Sequence, residues 1–260
     1  MKSYRLPFLF ILLIAVLSFS SCLNSDSESQ FDWYEPMTVS EDRLTMIGDY
    51  TNNRYYIQNP DILQLVDNNN APTGEYVKRG IFYVKFMDGE SINDQKKEYK
   101  VNIFTLSAYP VKNMTMMSDT IEHSNKFYKL GRECWAVNGY INVAFAPTYK
   151  SGEKLSINDF NLYIEKVEGS TIHLVLNHNI SEVENPTYYE DYLLISFKMP
   201  SKYEVLHKFP DLEFIDPSNT ELNPNGDSDL VNVKVTAKGL NDSTQETNTF
   251  QARLYEILKI

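Results

Sequence analysis

The chain is built from short runs in which apolar residues recur at every second position, broken by Asn, Asp, Gly and Pro. In residues 76–87, Tyr76, Lys78, Gly80, Phe82, Val84 and Phe86 fall on one face of a strand. Val77, Arg79, Ile81, Tyr83 and Met87 fall on the other. That period of two specifies β-structure and, once one face is buried, a single register. The 18 Tyr and 14 Phe suit the same reading, since flat rings pack well on pleated surfaces. The fold class expected is all-β.

Two blocks of strands are expected. The first holds runs at 54–57, 61–66, 76–87 and 98–106. Strands this short and this closely spaced suit a small closed barrel of the OB type, with Gly80 marking a bulge or a sharp coil. The second holds runs at 136–146, 160–167, 171–177, 192–199, 231–237 and 249–258, with a tight turn at Glu168-Gly169, and reads as an antiparallel sandwich. Residues 107–130 read as linker and loop, and one short helix is expected at 201–209. The two units should meet near 106–113, with Ile141, Val143 and Phe145 facing inward.

Ahead of these blocks lies an address. Lys2 and Arg5 precede a mostly apolar run from Leu6 to Phe19, which has the length of a secretory signal rather than of a membrane span. Ser18-Phe19-Ser20-Ser21-Cys22 then has the form of a bacterial lipobox. In such a segment the sulfur takes the lipid and cleavage falls just before the cysteine. The division expected is a signal peptide at 1–21, a lipidated acidic tether at 22–38, a barrel at 39–108 and a sandwich at 109–260. Removing Lys2 and Arg5 lowers the net charge of −11 by a further two. A body that acidic is expected to bind no nucleic acid, because phosphate recognition needs a basic stripe. Arg54, Lys78, Arg79 and Lys85, with Tyr55 and Tyr56, are the residues from which such a groove would have to be built.

The lipobox, the barrel-like block and the segments Gly139-Tyr140-Ile141-Asn142-Val143, Ile172-His173-Leu174-Val175-Leu176-Asn177-His178-Asn179 and Leu194-Ile195-Ser196-Phe197 resemble the NigD-like lipoproteins of Bacteroidetes. The resemblance spans roughly residues 40–260. It implies an N-terminal OB domain and a C-terminal β-sandwich on a lipid anchor, in the cell envelope at the outer membrane. The acids after Cys22, Asp26 and Glu28, loosely resemble a surface-export signal. No catalytic residues come with the resemblance. One departure is the acidic loop Ile180-Ser181-Glu182-Val183-Glu184-Asn185-Pro186, where the family often has a Gly-Asp turn.

Candidate sites are few. Asn223, Asn225, Asp227 and Asp229, with Gly226 among them, space oxygen donors as a calcium loop does, but the closing Glu is missing. An Asn/Asp/Gly-rich turn explains the same residues. His173 and His178 lie five apart in a strand, on opposite faces, and so do not chelate one metal. Cys134, beside Trp135, lacks an identifiable base and reads as a buried, inert thiol. Glu182, Glu184, Glu190 and Asp191 supply loop carboxylates for a glycan hydrolase, without the fixed spacing such an enzyme needs. Tyr188, Tyr189 and Tyr192 are the partner-binding candidates, with Trp33 and Tyr34 near the tether, because exposed rings stack on sugar faces and anchor interfaces. Thr120 and Ser243 sit in short O-glycosylation-like motifs. No cofactor is expected. The function expected is a non-enzymatic, lipid-anchored envelope protein that binds a protein or glycan partner. The alternatives are a surface glycan hydrolase and a purely structural spacer.

Overall fold

The strands of the computed structural model divide into a closed barrel and two further five-stranded sheets. The structure describes residues 30–66, 71–87, 89–93, 95–116, 121, 124–184, 186–188, 191–241 and 244–258. Cys22, Tyr189, Glu190, Thr120 and Ser243 lie outside the described residues, as do the expected signal peptide at 1–21 and most of the expected tether.

The barrel is formed by β1 (Trp33–Val39), β2 (Thr45–Gly48) and β3 (Arg54–Ile57), followed by a small hairpin, β4 (Gln64–Val66) and β5 (Pro72–Tyr76), and then β6 (Arg79–Phe86) and β7 (Glu98–Ala108). Their order is β1-β2-β3-β7-β6, closing on β1, with β3 and β7 parallel and the other neighbours antiparallel. This is the OB-like barrel expected. Its filling follows the period of two: Phe82, Val84 and Phe86 point inward and meet Met37, Met46, Tyr55, Tyr99 and Val101. Each such side chain removed from water contributes roughly 1.5–3 kcal/mol.

The barrel begins earlier than the sequence suggests. Residues 33–38, assigned there to the tether, are its first strand, and Met37 is fully buried. The bulge is also elsewhere. Val84 pairs with Ile103 and Tyr83 with Thr105, so Phe104 of β7 is the extra residue. Gly80 instead permits a close approach, because a Cβ there would run into the Ser107 carbonyl oxygen.

The second unit holds β8 (Val111–Asn113), β9 (Thr115–Met116), β10 (Phe127–Val137), β11 (Tyr140–Tyr149), β12 (Phe160–Glu168), β13 (Thr171–His178), β14 (Thr187–Tyr188), β15 (Leu193–Lys198), helix α1 (Lys202–Lys208), β16 (Leu230–Lys238), β17 (Gln245–Arg253) and the short helix α2 (Leu254–Ile257). One sheet runs β10-β11-β15-β8 with β14 on β11, and the other runs β17-β16-β13-β12-β9. Ile141, Val143 and Phe145 face inward and pack against Leu162, Ile164, Leu174 and Val233 of the opposite sheet in one core, as expected of a sandwich.

Several local readings change, among them the expected strands at 249–258, where residues 254–257 form α2, and at 61–66, where residues 60–63 form a 3-10 turn ahead of β4. The run at 136–146 is two strands, because Asn138 and Gly139 take φ of 51° and 80° in a two-residue turn joining Val137 to Tyr140. Positive φ at both central positions is the signature of the favoured hairpin turn. Residues 107–130 are not simply linker: β8 adds parallel to β15, and β9 adds parallel to β12 in the other sheet. Lys112 stitches that crossing, donating to the carbonyls of Asn158 and Phe160. The sandwich is therefore mixed rather than antiparallel, since β13 and β16 also run parallel.

Candidate binding cleft

The barrel and the sandwich are joined by a polar cluster on the barrel's outer face. Arg79 follows the outward half of the β6 alternation, yet it is fully buried, because β11 and β15 cover it. Its guanidinium makes a two-pronged pair with Asp49, at 3.0 Å (Nη1 to Oδ1) and 2.5 Å (Nη2 to Oδ2). It also donates to Thr38 and, across the junction, to Asn142 at 3.0 Å and Ser196 at 3.3 Å. Trp135 of the sandwich donates its indole N–H to Asp49 at 2.9 Å. Burial pushes the Asp49 carboxyl up, and the Arg79 charge and the Trp135 hydrogen bond oppose that rise.

Beside this junction lies a cleft of about 590 Å³. Its floor is apolar: Pro36 and Ile81 come from the barrel, Cys134, Ala144 and Leu194 from the sandwich. Its walls are aromatic: Tyr34 (58% exposed), Tyr50 (72%), Tyr109, Trp135 and Tyr192 (45%). Burial raises the Tyr109 phenol to about 12, so it stays protonated. Glu133 reaches the cleft from a bulge in β10, where Leu130 pairs with Phe145 and Cys134 with Val143. Gly131 allows that bulge, since a Cβ there would press on Ala144 at 2.7 Å and Tyr192 at 3.2 Å.

The second carboxylate lining the cleft, Glu35, is not available for chemistry. It accepts from Trp33 Nε1, Tyr55 Oη and Thr51 Oγ1 through one oxygen, and from the backbone N–H of Tyr50 and Thr51 through the other. Those five donors fix the turn that carries Asp49 and Tyr50. Gly48 is part of the same arrangement, as a Cβ there would collide with the Glu35 carboxylate. The Cys134 thiol is buried as expected, donates weakly to the Gly131 carbonyl, and is raised by that burial.

Of the partner-binding candidates, Tyr192 lies in the cleft wall. Tyr188 stacks on Tyr128 with 4.2 Å between centroids, and Lys129 sits over both Tyr128 and Tyr192. Trp33 turns inward and is spent on Glu35. Tyr34 faces out. Tyr50, Tyr109 and Trp135 are not singled out by the sequence. Tyr50 stands in the polar turn Gly48-Asp49-Tyr50-Thr51, where an aromatic without a strand to pack on is the one available signal.

The other candidate constellations serve the fold. Asn223 is buried, and its amide closes its own loop by donating to Asp227 O and accepting from Asp227 N. Asp227 pairs with Arg253 at 2.6 Å, and Asp229 accepts from the Tyr255 N–H at the start of α2. Three of the four would-be calcium ligands, Asn223, Asp227 and Asp229, thus spend oxygens on a turn, an ion pair and a helix end. Among the described residues no group of three His, Cys, Asp or Glu side chains is placed to hold a metal. His173 pairs with Glu168 at 3.2 Å, while His178 is fully buried and stacks on Phe160 at 4.4 Å. His178 is thus a core residue at the end of β13. Glu182 of the acidic loop bridges Lys126 and Lys238, whose hydrogen bonds draw its carboxyl down to about 2. Two of the residues from which a nucleic-acid groove would have to be built, Arg79 and Tyr55, are buried.

No family model matches the chain, and no curated protein matches it in sequence. Solved structures are similar at low identity. A protein of unknown function from Bacteroides vulgatus is 18% identical, with 85% of this chain and 90% of that one covered and a TM-score of 0.47. A NigD-like immunity protein from Bacteroides caccae is 13% identical, covering 88% and 100%, with a TM-score of 0.45. An uncharacterised protein from Parabacteroides merdae is 11% identical, covering 85% and 98%, with a TM-score of 0.49.

Proposed function

We propose that this chain is an exported lipoprotein of the cell envelope, anchored at the outer membrane through Cys22 and displayed at the surface, whose body binds a protein or glycan partner without catalysing a reaction. The lipobox supports the anchor, and the NigD-like segments of the sequence support the assignment to that kind of lipoprotein. The observation that carries the binding reading is the junction cleft. Three tyrosines stand exposed around an apolar floor, at a size that accommodates a sugar ring or an anchoring side chain. Within this cleft a glycosidase would need two free carboxylates, and Glu35 is saturated by five donors; of the loop carboxylates that the hydrolase alternative rests on, Glu182 is held by Lys126 and Lys238. The net charge favours a partner that is neutral, cationic or apolar over a polyanion.

The test is affinity capture from the native cells, together with an array of neutral oligosaccharides. Wild-type protein is compared with the Tyr50→Ala/Tyr192→Ala variant. A ligand held by the wild type and weakened at least tenfold in the variant supports the reading, as loss of an aromatic anchor costs about 1–2 kcal/mol or more. Equal retention by both proteins places binding on another surface. No ligand for either protein favours the spacer. Saturable binding of a labelled single-stranded oligonucleotide, weakening as salt rises, would overturn the exclusion of nucleic acid.

A further inference from the structure

Where the chain enters the barrel, three rings gather on its outer face. Tyr34 of β1 pairs directly with Tyr83 of β6, and the two stack at 5.4 Å with 15° between planes. Phe31 closes the group edge-on, 4.9 Å from Tyr83 and 5.9 Å from Tyr34. Tyr34 is more than half exposed, and Phe31 and Tyr83 are half-buried beside it. Asp32 is held by the Phe86 N–H at 2.8 Å, and the charged side chain next along β6 on that face is Lys85.

From this geometry we infer that the Phe31–Tyr34–Tyr83 face rests on the lipid headgroup interface of the membrane that holds the anchor. The inference rests on the lipidation reading of Cys22. From Cys22 to Gln30 the backbone spans at most about 29 Å even when fully extended. A folded body of this size is about 45 Å across by the usual scaling of radius with length. The tether is therefore shorter than the body, and the pole opposite its attachment cannot reach the bilayer. The faces within reach are those around Phe31, and that region presents clustered Tyr and Phe. Tyrosine is suited to the interface because its ring takes the apolar side and its hydroxyl stays hydrated. Lys85 can lay its stem along the same boundary with its ammonium in water. The strongly acidic body disfavours adsorption on anionic lipid by charge alone, so the contact expected is with a zwitterionic interface.

The test uses the full chain, purified with its lipid from expressing cells and reconstituted into phosphatidylcholine vesicles carrying brominated acyl chains. An environment-sensitive fluorophore is placed at Lys85→Cys, which leaves the three rings intact, and in a second protein at Tyr203→Cys on α1. The intact mass first reports whether Cys22 carries lipid. The expected result is quenching at position 85 at least about twice that at position 203, falling to the level of 203 when Tyr34→Ser and Tyr83→Ser are added. Circular dichroism melts show whether that variant is still folded, and Tyr34→Ser alone replaces it if it is not. A lipidated protein with equal quenching at both positions overturns the inference and leaves the anchor standing. A protein without lipid mass at Cys22 overturns the anchor and the inference with it. Protection of position 85 from aqueous quencher without bromine quenching assigns the face to a protein partner and overturns the inference.

Discussion

Arg79 shows how far a single buried charge can organise a fold. Its guanidinium is satisfied by Asp49, Thr38, Asn142 and Ser196, so barrel and sandwich share one polar network. Removing one partner leaves the other charge buried without compensation, at a cost of roughly 3–5 kcal/mol. Arg79→Met should therefore lower the urea midpoint severely, and adding Asp49→Leu should recover much of the loss. If the double variant is no more stable than the single one, the pair is not the source of the effect. His178 carries a second prediction. Burial holds its imidazole down to about 4, against 6.5 for the ordinary group. Between those values the unfolded chain takes up the proton and the folded one does not. Stability is then full above pH 6.5 and falls as pH drops toward 4, by up to about 1.4 kcal/mol per pH unit. Urea titrations at pH 7, 5.5 and 4.5 should show this slope in the wild type and a shallower one in His178→Phe, which keeps a ring against Phe160.

Among the elements, α1 is the one whose start is written in four consecutive residues. Ser201 accepts from the Glu204 N–H, and Glu204 reaches back to the Ser201 N–H, forming a capping box after Pro200. Ser201→Ala should cost about 1 kcal/mol, read as a lowered thermal midpoint. β6 depends on a different kind of residue. Gly80→Ala would place a methyl group on the Ser107 carbonyl, forcing β6 and β7 apart where the barrel closes. A loss of about 2 kcal/mol or more in chemical denaturation is expected, and a neutral outcome would mean that β7 can shift. The hairpin at Asn138-Gly139 was legible in the sequence, because Asn-Gly is a strong two-residue turn signal, but the apolar run through 136–146 obscures it. β1, β2, β8 and β9 were not legible. β2, β8 and β9 are short, and β1, β8 and β9 pair with strands distant in the sequence, β6, β15 and β12.

For the whole molecule, the anchor is the claim that reaches furthest and is simplest to check. Cys22→Ser should leave the precursor uncleaved at that site and without fatty-acid label, because the sulfur is the attachment atom; label retained by the variant would sink the anchor. What the sequence by itself determined is what local chemistry can encode. Period-two alternation specified β-structure and the inward faces of β6 and β11, and the order of the two units followed from where such runs cluster. The capping box is likewise complete within a few consecutive residues, as is the lipobox-like segment on which the proposed anchor rests. The cleft was decided by tertiary structure alone. Tyr34, Tyr50, Tyr109, Trp135 and Tyr192 come from separate stretches of chain; local pattern marks Tyr34 and Tyr192 as candidate exposed rings, but nothing local brings the five together. Arg79 and Glu35 are read locally as ordinary surface charges, and only the covering strands and the turn at Gly48 turn them into buried, fully paired groups. The physical reason is that alternation reports which face a side chain takes, whereas burial of an outward face depends on which other unit docks against it.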